Sequence, residues 1–287
     1  MRATTRIVSR DMLALTVLLL ALGLLGPDGA VAQSQSFPHG TVRLVAETSG
    51  VQTAHNFTLA LHFSLEDGWH TYWVNPGDSG EPPRVTWALP AGITAGPIEW
   101  PVPEKLGTSS IVDYGYRREV TPLVPLHAAA TLPAQEPLTI RAEVRLLVCK
   151  DVCIPGKTQV TLTLPAGAQT PVLDQAQLGL FASARARLPQ AAPGNWIFRA
   201  REESDSFVLS ARTGKRVTQA YFYPLEESQI QNAAPQVTVS EATGFELTLR
   251  KSDQLAKPVA RLKGVLLLAG DRAYVLDIPV SGSSKGA

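Results

Sequence analysis

The chain has 287 residues, with 26 basic and 25 acidic side chains and a formal net charge of +1. This balance argues against a nucleic-acid or polyanion partner, because such proteins carry an excess of basic residues. Only 18% of the residues are charged, while glycine and proline contribute 22 each, which is typical of many short strands joined by turns.

The N-terminus has the three-part pattern of a secretory signal peptide. Basic residues come first, residues 12–25 form an apolar run, and Ala30-Val31-Ala32 fits the small-x-small cleavage pattern. The apolar run is shorter than the ~20 residues that span a bilayer as a helix. We therefore expect residues 1–32 to be a cleaved signal peptide and Gln33 to start the exported protein; an uncleaved anchor is the alternative.

Residues 37–167 are predicted to form a β-rich domain. Residues 56–65 alternate apolar and polar side chains, which is the pattern of a strand with one buried face. Such runs, with turns roughly every 8–12 residues, favour an antiparallel sandwich. The predicted strands are 41–46, 56–65, 69–74, 84–89, 119–127, 138–149 and 158–164.

One helix and a second β-rich half are predicted to follow. Leu173, Leu180 and Leu188 recur at helical spacing, and Pro189 ends the pattern. Beyond the helix there is neither cysteine nor histidine, and we find no catalytic constellation. The predicted strands there are 196–201, 206–211, 217–223, 236–240, 244–251, 261–268 and 273–280.

The fold class predicted from these patterns is all-β, with two antiparallel β-sandwich domains joined by one amphipathic helix. The C-terminal tail is rich in glycine, serine and lysine, so we expect it to be disordered. The predicted boundaries are a signal peptide at 1–32, a first sandwich at 37–167, a linker helix at 172–189, a second sandwich at 195–281 and a tail at 282–287.

Cys149 and Cys153 are the only two cysteines of the chain and lie four positions apart. An oxidising compartment should pair them. A loop this short yields about 2 kcal/mol of stabilisation in the chain-entropy model, less than the ~3 kcal/mol of a 15-residue loop. The spacing therefore favours redox exchange over stapling; a modest clip on a hairpin is the alternative.

The sequence around the cysteines predicts where their sulfurs lie. Alternation along residues 141–149 places Cys149 on the face opposite the core side chains. Pro155-Gly156 stops any helix, so we expect a loop that holds both sulfurs close and accessible, as exchange requires. The spacing does not decide which cysteine attacks a partner.

Two aromatic segments stand out as neighbours of such a site. Residues 67–83 combine dense aromatics with a long Gly/Pro loop, which indicates a packed strand edge or an aromatic shelf that shields a reactive disulfide. Residues 111–119 are interpreted as a turn between strands.

Other chemistries are less well supported by the residues. Gly77-Asp78-Ser79-Gly80 and His55 mimic parts of a serine protease, but the two elements are close in sequence, and a triad also needs a buried Asp in its own setting. Cys149 and Cys153 supply two ligands, with His70 as a further candidate, whereas a closed metal site needs four. We expect neither a metal nor a cofactor, although Cu(I) suits thiolates and remains an alternative.

The run from Cys149 to Gly156 resembles the C-x(3–5)-C-x-P element of the periplasmic N-terminal domain of DsbD. The run from Asp67 to Trp73 resembles the Gly-aromatic strand of that domain. The similarity is closer to the ScsB-type branch, through His70-Thr71-Tyr72-Trp73 with the following Gly/Pro loop and through the cysteine run. It covers about residues 42–250 and is weak in the second domain.

The resemblance implies an immunoglobulin-like sandwich for both domains and a periplasmic location. It also implies a thiol–disulfide interchange or protein-disulfide reductase activity that relays electrons to or from thioredoxin-like proteins, without a small-molecule substrate. The ScsB-type branch is linked to copper tolerance. The residues implied are the redox pair Cys149 and Cys153, shielded by residues drawn from Trp69, His70, Tyr72, Tyr114 and Tyr116.

One departure from the family affects the expected partners. Family members continue into a transmembrane domain and a thioredoxin domain, and this sequence has neither. We therefore expect a separate membrane protein to supply electrons, or the domain to have a changed role. The alternatives are a non-catalytic immunoglobulin-like binding module with a structural disulfide, and Cu(I) binding.

Overall fold

The computed structural model of the protein describes residues 33–107, 110–132, 137–270 and 272–282. The predicted signal peptide at 1–32 and nearly all of the predicted tail lie outside these residues. No helix within the described ranges is long and apolar enough to cross a membrane. The elements are β1 (Gln35–Phe37), β2 (Gly40–Ala46), β3 (Val51–Gln52), β4 (Asn56–Leu65), β5 (His70–Gly77), β6 (Arg84–Ala88), β7 (Ile93–Ala95), β8 (Glu104–Gly107), β9 (Val112–Arg117), β10 (Glu119–Val120), β11 (Leu123–Ala128), β12 (Leu138–Cys149), β13 (Cys153–Leu164), β14 (Ala166–Gly167), α1 (Leu178–Ala186), β15 (Gln190–Ala191), β16 (Ile197–Glu202), β17 (Ser206–Arg212), β18 (Ala220–Pro224), β19 (Val237–Glu241), β20 (Gly244–Arg250), β21 (Arg261–Leu268) and β22 (Arg272–Ser281).

Two six-stranded sheets form the N-terminal sandwich. One has the order β1-β2-β4-β11-β7 with β10 beside β4, and the other has the order β13-β12-β5-β9-β8 with β6 beside β12. Because side chains alternate between the faces of a strand, Leu44 and Leu61 of the first sheet meet Ile140 and Leu162 of the second in one buried core. The all-β prediction is confirmed.

The C-terminal half (residues 190–282) contains one eight-stranded sheet in the order β18-β21-β22-β16-β17-β20-β19, with β15 beside β22. Phe222 and Leu262 come from one end of this sheet, and Phe207 and Leu247 come from the other. All four side chains are fully buried in a second core. The two ends of the sheet therefore pack against each other.

Helix α1 is shorter than the predicted helix at 172–189. Leu173 forms a β-bridge with Thr48, and the backbone N–H of Asp174 donates to the carbonyl of Glu47. The carboxylate of Asp174 accepts from the backbone N–H of Ala176, a local turn that competes with helix formation. These contacts keep the first residues of the predicted helix outside α1.

Packing against the N-terminal sandwich fixes the position of α1. Phe181 and Ala184 are buried against Val45 and Leu123, on the face of the first sheet that points away from the main core. The predicted amphipathic helix therefore covers a sheet face, which would otherwise expose apolar side chains to water.

Residues 111–119 were predicted to form a turn, and this prediction is wrong. Residues Val112–Arg117 form β9, which pairs with both β5 and β8. A Cβ on Gly115 would lie 2.1 Å from the carbonyl oxygen of Thr71, so a residue without a side chain lets the two strands approach. Gly115, which was interpreted as a turn signal, is instead required for the close pairing of β9 with β5.

The predicted loop around Pro155-Gly156 is also wrong, because β13 begins at Cys153 and includes both residues. Pro155 is paired with Leu147 of β12, and β13 is the edge strand of its sheet. An edge strand tolerates a proline, since only one of its sides needs backbone donors. The hairpin therefore extends to the cysteines themselves.

Candidate functional site

The two cysteines face each other at the end of the β12–β13 hairpin. Cys149 is the last residue of β12, Cys153 is the first of β13, and the two are direct cross-strand partners. Their sulfurs are bonded at 2.03 Å, and their Cα atoms lie 4.1 Å apart. The backbone N–H of Lys150 donates to the carbonyl of Val152 at 3.1 Å within the connecting turn. Strand pairing therefore holds the two sulfurs together.

The two cysteines differ in their exposure to solvent. Cys149 is only 2% exposed, whereas Cys153 is exposed. Cys149 lies on the face opposite the fully buried Val148, as predicted from the alternation. The expectation that both sulfurs are accessible is wrong, because other side chains cover the outer face of the sheet at Cys149. Cys153 is thus open to solvent, whereas Cys149 is enclosed.

Strand β5 supplies the cover over Cys149. His70 is the cross-strand partner of Cys149, and Tyr72 follows two residues later on the same face. The Tyr72 hydroxyl donates to the Cys149 Sγ at 2.9 Å and lies 3.7 Å from the Cys153 Sγ. The rings of His70 and Tyr72 pack edge to face with centroids 5.3 Å apart.

A second layer lies over Tyr72. It is formed by the loop Gly77, Asp78, Ser79 and Gly80, called here the 77–80 loop. A Cβ on Gly80 would lie 2.2 Å from the ring of Tyr72, so the loop backbone rests directly on this ring. The hydroxyl of Ser79 donates to both carboxylate oxygens of Asp113, at 2.9 and 3.0 Å. Gly77 is paired with Asp113 across the sheet, so β9 anchors the loop.

Burial shifts the titration of three groups in this cover. Removal from water lowers the pKa of His70, because burial disfavours its charged ring. Burial raises the pKa of Asp113, and hydrogen bonds from Ser79 oppose this rise. Burial also raises the pKa of Tyr72, so this hydroxyl stays a donor at neutral pH. The His70 Nε2 atom is buried and has no hydrogen-bond partner among the described residues.

The structure brings His70 and Tyr72 to the disulfide but separates the other three predicted shielding residues from it. Trp69 stacks on His39, with ring centroids 3.7 Å apart. Tyr114 and Tyr116 lie on the core face of β9, which is the face opposite Tyr72. The Tyr116 hydroxyl donates to the carbonyl of Pro101, and Tyr114 contacts the C-terminal half.

Sequence reasoning missed Asp113 and the role of the 77–80 loop. The protease-like reading of Gly77-Asp78-Ser79-Gly80 has no geometric support, since Ser79 is bound to Asp113 and His55 is bound to the carbonyl of Thr53. Alternation along β9 is the signal that could have placed Asp113 beside Tyr72. Among the described residues, no three His, Cys, Asp or Glu side chains are placed to hold a metal.

The part of the chain that holds this site matches a family of known proteins. A family model described as "Thiol:disulfide interchange protein DsbD, N-terminal" matches residues 41–165. This range holds the disulfide and the strands of both sheets of the N-terminal sandwich, except β1 and the first residue of β2. Residues 41–165 form a DsbD N-terminal-type domain. The predicted resemblance to this domain is thereby confirmed.

A solved structure extends the similarity beyond the DsbD-type domain. It is the N-terminal periplasmic domain of ScsB from Proteus mirabilis, with a TM-score of 0.63 and 19% sequence identity. The match covers 88% of this chain and 99% of the ScsB chain. At this identity the match establishes a shared fold that includes most of the C-terminal half. No protein with a curated function matches the chain significantly.

Proposed function

We propose that the protein is a periplasmic thiol–disulfide exchange protein. It relays electrons through the Cys149–Cys153 dithiol/disulfide to or from thioredoxin-like proteins, as a protein-disulfide reductase of the interchange type. The observation that carries the proposal is the asymmetry of the pair: Cys153 is exposed, whereas Cys149 is 2% exposed and accepts a hydrogen bond from Tyr72. A disulfide that serves only as a clip needs neither feature.

The asymmetry assigns a role to each sulfur. A partner thiolate attacks the exposed Sγ of Cys153, the Cys149–Cys153 bond breaks, and Cys149 leaves as a thiolate. The Tyr72 hydroxyl then donates to a charged sulfur, which is a stronger hydrogen bond than one to a neutral group. A second thiol of the same partner then attacks the partner's sulfur in the mixed disulfide, which forms a disulfide in the partner and releases Cys153 as a thiolate. Two electrons pass to this protein, the partner becomes oxidised, and the reverse sequence returns them.

The proposed partners follow from the shape of the site and from the family. Cys153 lies at the tip of a hairpin beside Val152, which is 62% exposed, so a protein surface can approach it. The match to the DsbD N-terminal family model supports thioredoxin-like partners. The N-terminal signal-peptide pattern supports the periplasmic location. No small-molecule substrate, metal or cofactor is part of the proposal.

Trapping of mixed disulfides tests the assignment. The Cys149→Ser variant keeps the exposed Cys153 and should trap thioredoxin-like proteins from a periplasmic extract as mixed disulfides. The Cys153→Ser variant keeps only the covered Cys149 and should trap far less. The double variant Cys149→Ser/Cys153→Ser is the matched control.

Two results together would reject the proposal in favour of a binding module with a structural disulfide. One is that neither single variant traps any periplasmic protein. The other is a reduction potential below about −300 mV, at which a disulfide resists the glutathione pool. Trapping by Cys153→Ser alone would instead reverse the roles of the two sulfurs.

A further inference from the structure

A buried side chain of the C-terminal half, Asn232, bonds to the disulfide cover; it lies between β18 and β19 and is 5% exposed. Its Oδ1 accepts from the Tyr114 hydroxyl at 3.0 Å, and its Nδ2 donates to Oδ1 of Asp78 at 2.8 Å. Asn232 therefore joins two parts of the N-terminal sandwich, strand β9 and the 77–80 loop.

Asp78 transmits this contact to the backbone of the loop. Its second carboxylate oxygen accepts from the backbone N–H of Val112 at 2.8 Å, and its own N–H donates to the Val112 carbonyl at 2.9 Å. The loop is otherwise open to water, since Asp78, Ser79 and Gly80 are exposed. The bond from Asn232 is thus a fixed support for an exposed segment.

The segment that carries Asn232 is itself held firmly against the N-terminal sandwich. Asn75 is 1% exposed and donates to the carbonyl oxygens of Pro224 and Glu226, at 2.8 and 3.3 Å. The rings of Tyr114 and Tyr223 pack edge to face with centroids 5.3 Å apart. Because these contacts are buried, Asn232 has a defined position from which to hold Asp78.

From the 77–80 loop the path to the sulfur is short. Gly80 rests on the ring of Tyr72, and the hydroxyl of Tyr72 donates to the Cys149 Sγ. If the loop moved away from Tyr72, the ring of this residue could move away from the disulfide. The position of the loop therefore affects both the cover over Cys149 and the hydrogen bond to its sulfur.

We propose that Asn232 is a positioning residue for the redox pair. Through Asp78 it holds the 77–80 loop on Tyr72, so the C-terminal half sets how readily Cys149–Cys153 exchanges with thiols. The physiological meaning of this role rests on the proposed function, but its chemistry can be measured with a small thiol and needs no partner protein.

The test is the rate at which dithiothreitol reduces the disulfide in the full chain. Asn232→Ala should change the rate of reduction about fivefold, the factor expected for the loss of one typical hydrogen bond. The rate rises if uncovering Cys149 outweighs the loss of the Tyr72 hydroxyl as a donor to the leaving sulfur, and it falls if that loss is larger. Asp78→Ala removes the same bond and also the bond from the Val112 N–H, so it should change the rate in the same direction and at least as much. If Asn232 acts through Asp78, the rate of the double variant should match that of Asp78→Ala alone, because coupled residues are not additive.

Gln236→Ala is the matched control, since both hydrogen bonds of the Gln236 side chain go to the backbone of Phe222 within the C-terminal half. It should lower thermal stability without changing the reduction rate. An unchanged rate in folded Asn232→Ala, or an equal change of rate in Gln236→Ala, would overturn the proposal. If Asn232→Ala does not fold, an unchanged rate in Asp78→Ala would overturn it. Mixed-disulfide trapping is a separate readout, so failure of the proposed function is distinguishable from failure of this one.

Discussion

The Tyr72 hydroxyl lies 2.9 Å from the Cys149 Sγ and 3.7 Å from the Cys153 Sγ, so it is placed on the enclosed sulfur of the pair. In the oxidised protein a neutral sulfur is a weak acceptor. After reduction, the same hydroxyl would donate to a thiolate, which is a charge-assisted contact. Tyr72 thus combines two roles with opposite effects on exchange: its ring covers the disulfide, and its hydroxyl stabilises the leaving group.

Tyr72→Phe separates these two roles, because it removes the hydroxyl and keeps the ring. We expect the pKa of the reduced Cys149 thiol to rise and reduction by dithiothreitol to slow about fivefold, since a leaving thiol with a higher pKa leaves more slowly. The measurements are stopped-flow reduction kinetics and the thiolate absorbance of the reduced protein as a function of pH.

Tyr116→Phe is the control for Tyr72→Phe. Its hydroxyl donates to the carbonyl of Pro101 at 2.7 Å, on the opposite face of the sheet. This variant should lose stability but reduce at the rate of the parent protein. An unchanged or faster reduction of Tyr72→Phe would show that the Tyr72 hydroxyl does not stabilise the leaving sulfur.

Gly80→Ala should displace the 77–80 loop. Gly80 has a φ of +85°, and its added Cβ would lie 2.2 Å from the ring of Tyr72. Gly214 has a φ of +76° with nothing within 4 Å, so Gly214→Ala carries the backbone strain without the clash. We expect Gly214→Ala to cost about 1 kcal/mol of stability. Gly80→Ala should cost more and should also change the rate of reduction, in the same direction as Asn232→Ala does. Equal reduction rates for the two variants would contradict a cover held by the loop.

Tyr114→Phe should weaken the contact between the two halves of the chain. The variant leaves Oδ1 of the buried Asn232 without the hydroxyl that donates to it, which costs about 1–3 kcal/mol of unfolding free energy. Tyr223 packs in the same aromatic cluster and makes no hydroxyl hydrogen bond to the described residues, so Tyr223→Phe should cost much less. Urea denaturation measures both values. A similar loss for the two variants would mean that ring packing alone holds the halves together.

The stability of the protein should fall as the pH falls below the ordinary histidine pKa of 6.5. Burial lowers the pKa of His70 in the folded protein, so the unfolded chain binds more protons in this pH range. Acidification therefore stabilises the unfolded chain relative to the folded protein. His70→Gln should therefore lose less unfolding free energy between about pH 7 and pH 5 than the parent protein does. Asp113 acts in the opposite sense, because its raised pKa favours the folded state on acidification, but the variant retains it.

The matched control for this pH dependence is His127→Gln, which replaces an exposed histidine. It should keep the pH dependence of the parent protein, measured by urea denaturation at both pH values. The same flattening in both histidine variants would show that burial of His70 is not the cause.

The strands could be predicted from the sequence where one face is apolar. Residues 56–65, 138–149 and 261–268 were predicted with the bounds that the structure shows, because alternation over many residues is a local signal. Strand β9 was missed since Gly115 and the charged residues beside it gave a turn-like composition. Its alternation becomes visible only once Val112, Tyr114 and Tyr116 are recognised as one buried face.

The cysteine pair could be predicted, but most of its surroundings could not. Neighbouring residues placed Cys149 on the outer face of its strand. Its burial arises from His70 and Tyr72, which reach it only through pairing between strands distant in sequence. The same holds for Asn232, which lies in a half of the chain that shows no catalytic pattern. The alternation in one segment shows which of its side chains are buried, but the partner strand that brings His70 opposite Cys149 depends on the whole sheet.

The β12–β13 hairpin limits how much the structure must change when the disulfide is reduced or formed again. Pairing continues without interruption from Leu138 opposite Leu164 to Val148 opposite Ile154, and the cysteines occupy only its last position. Opening the disulfide therefore leaves the ladder intact and frees only the three-residue turn. If the protein has the proposed relay role, it can gain and lose electrons repeatedly with little reorganisation, so that its two forms present nearly the same surface.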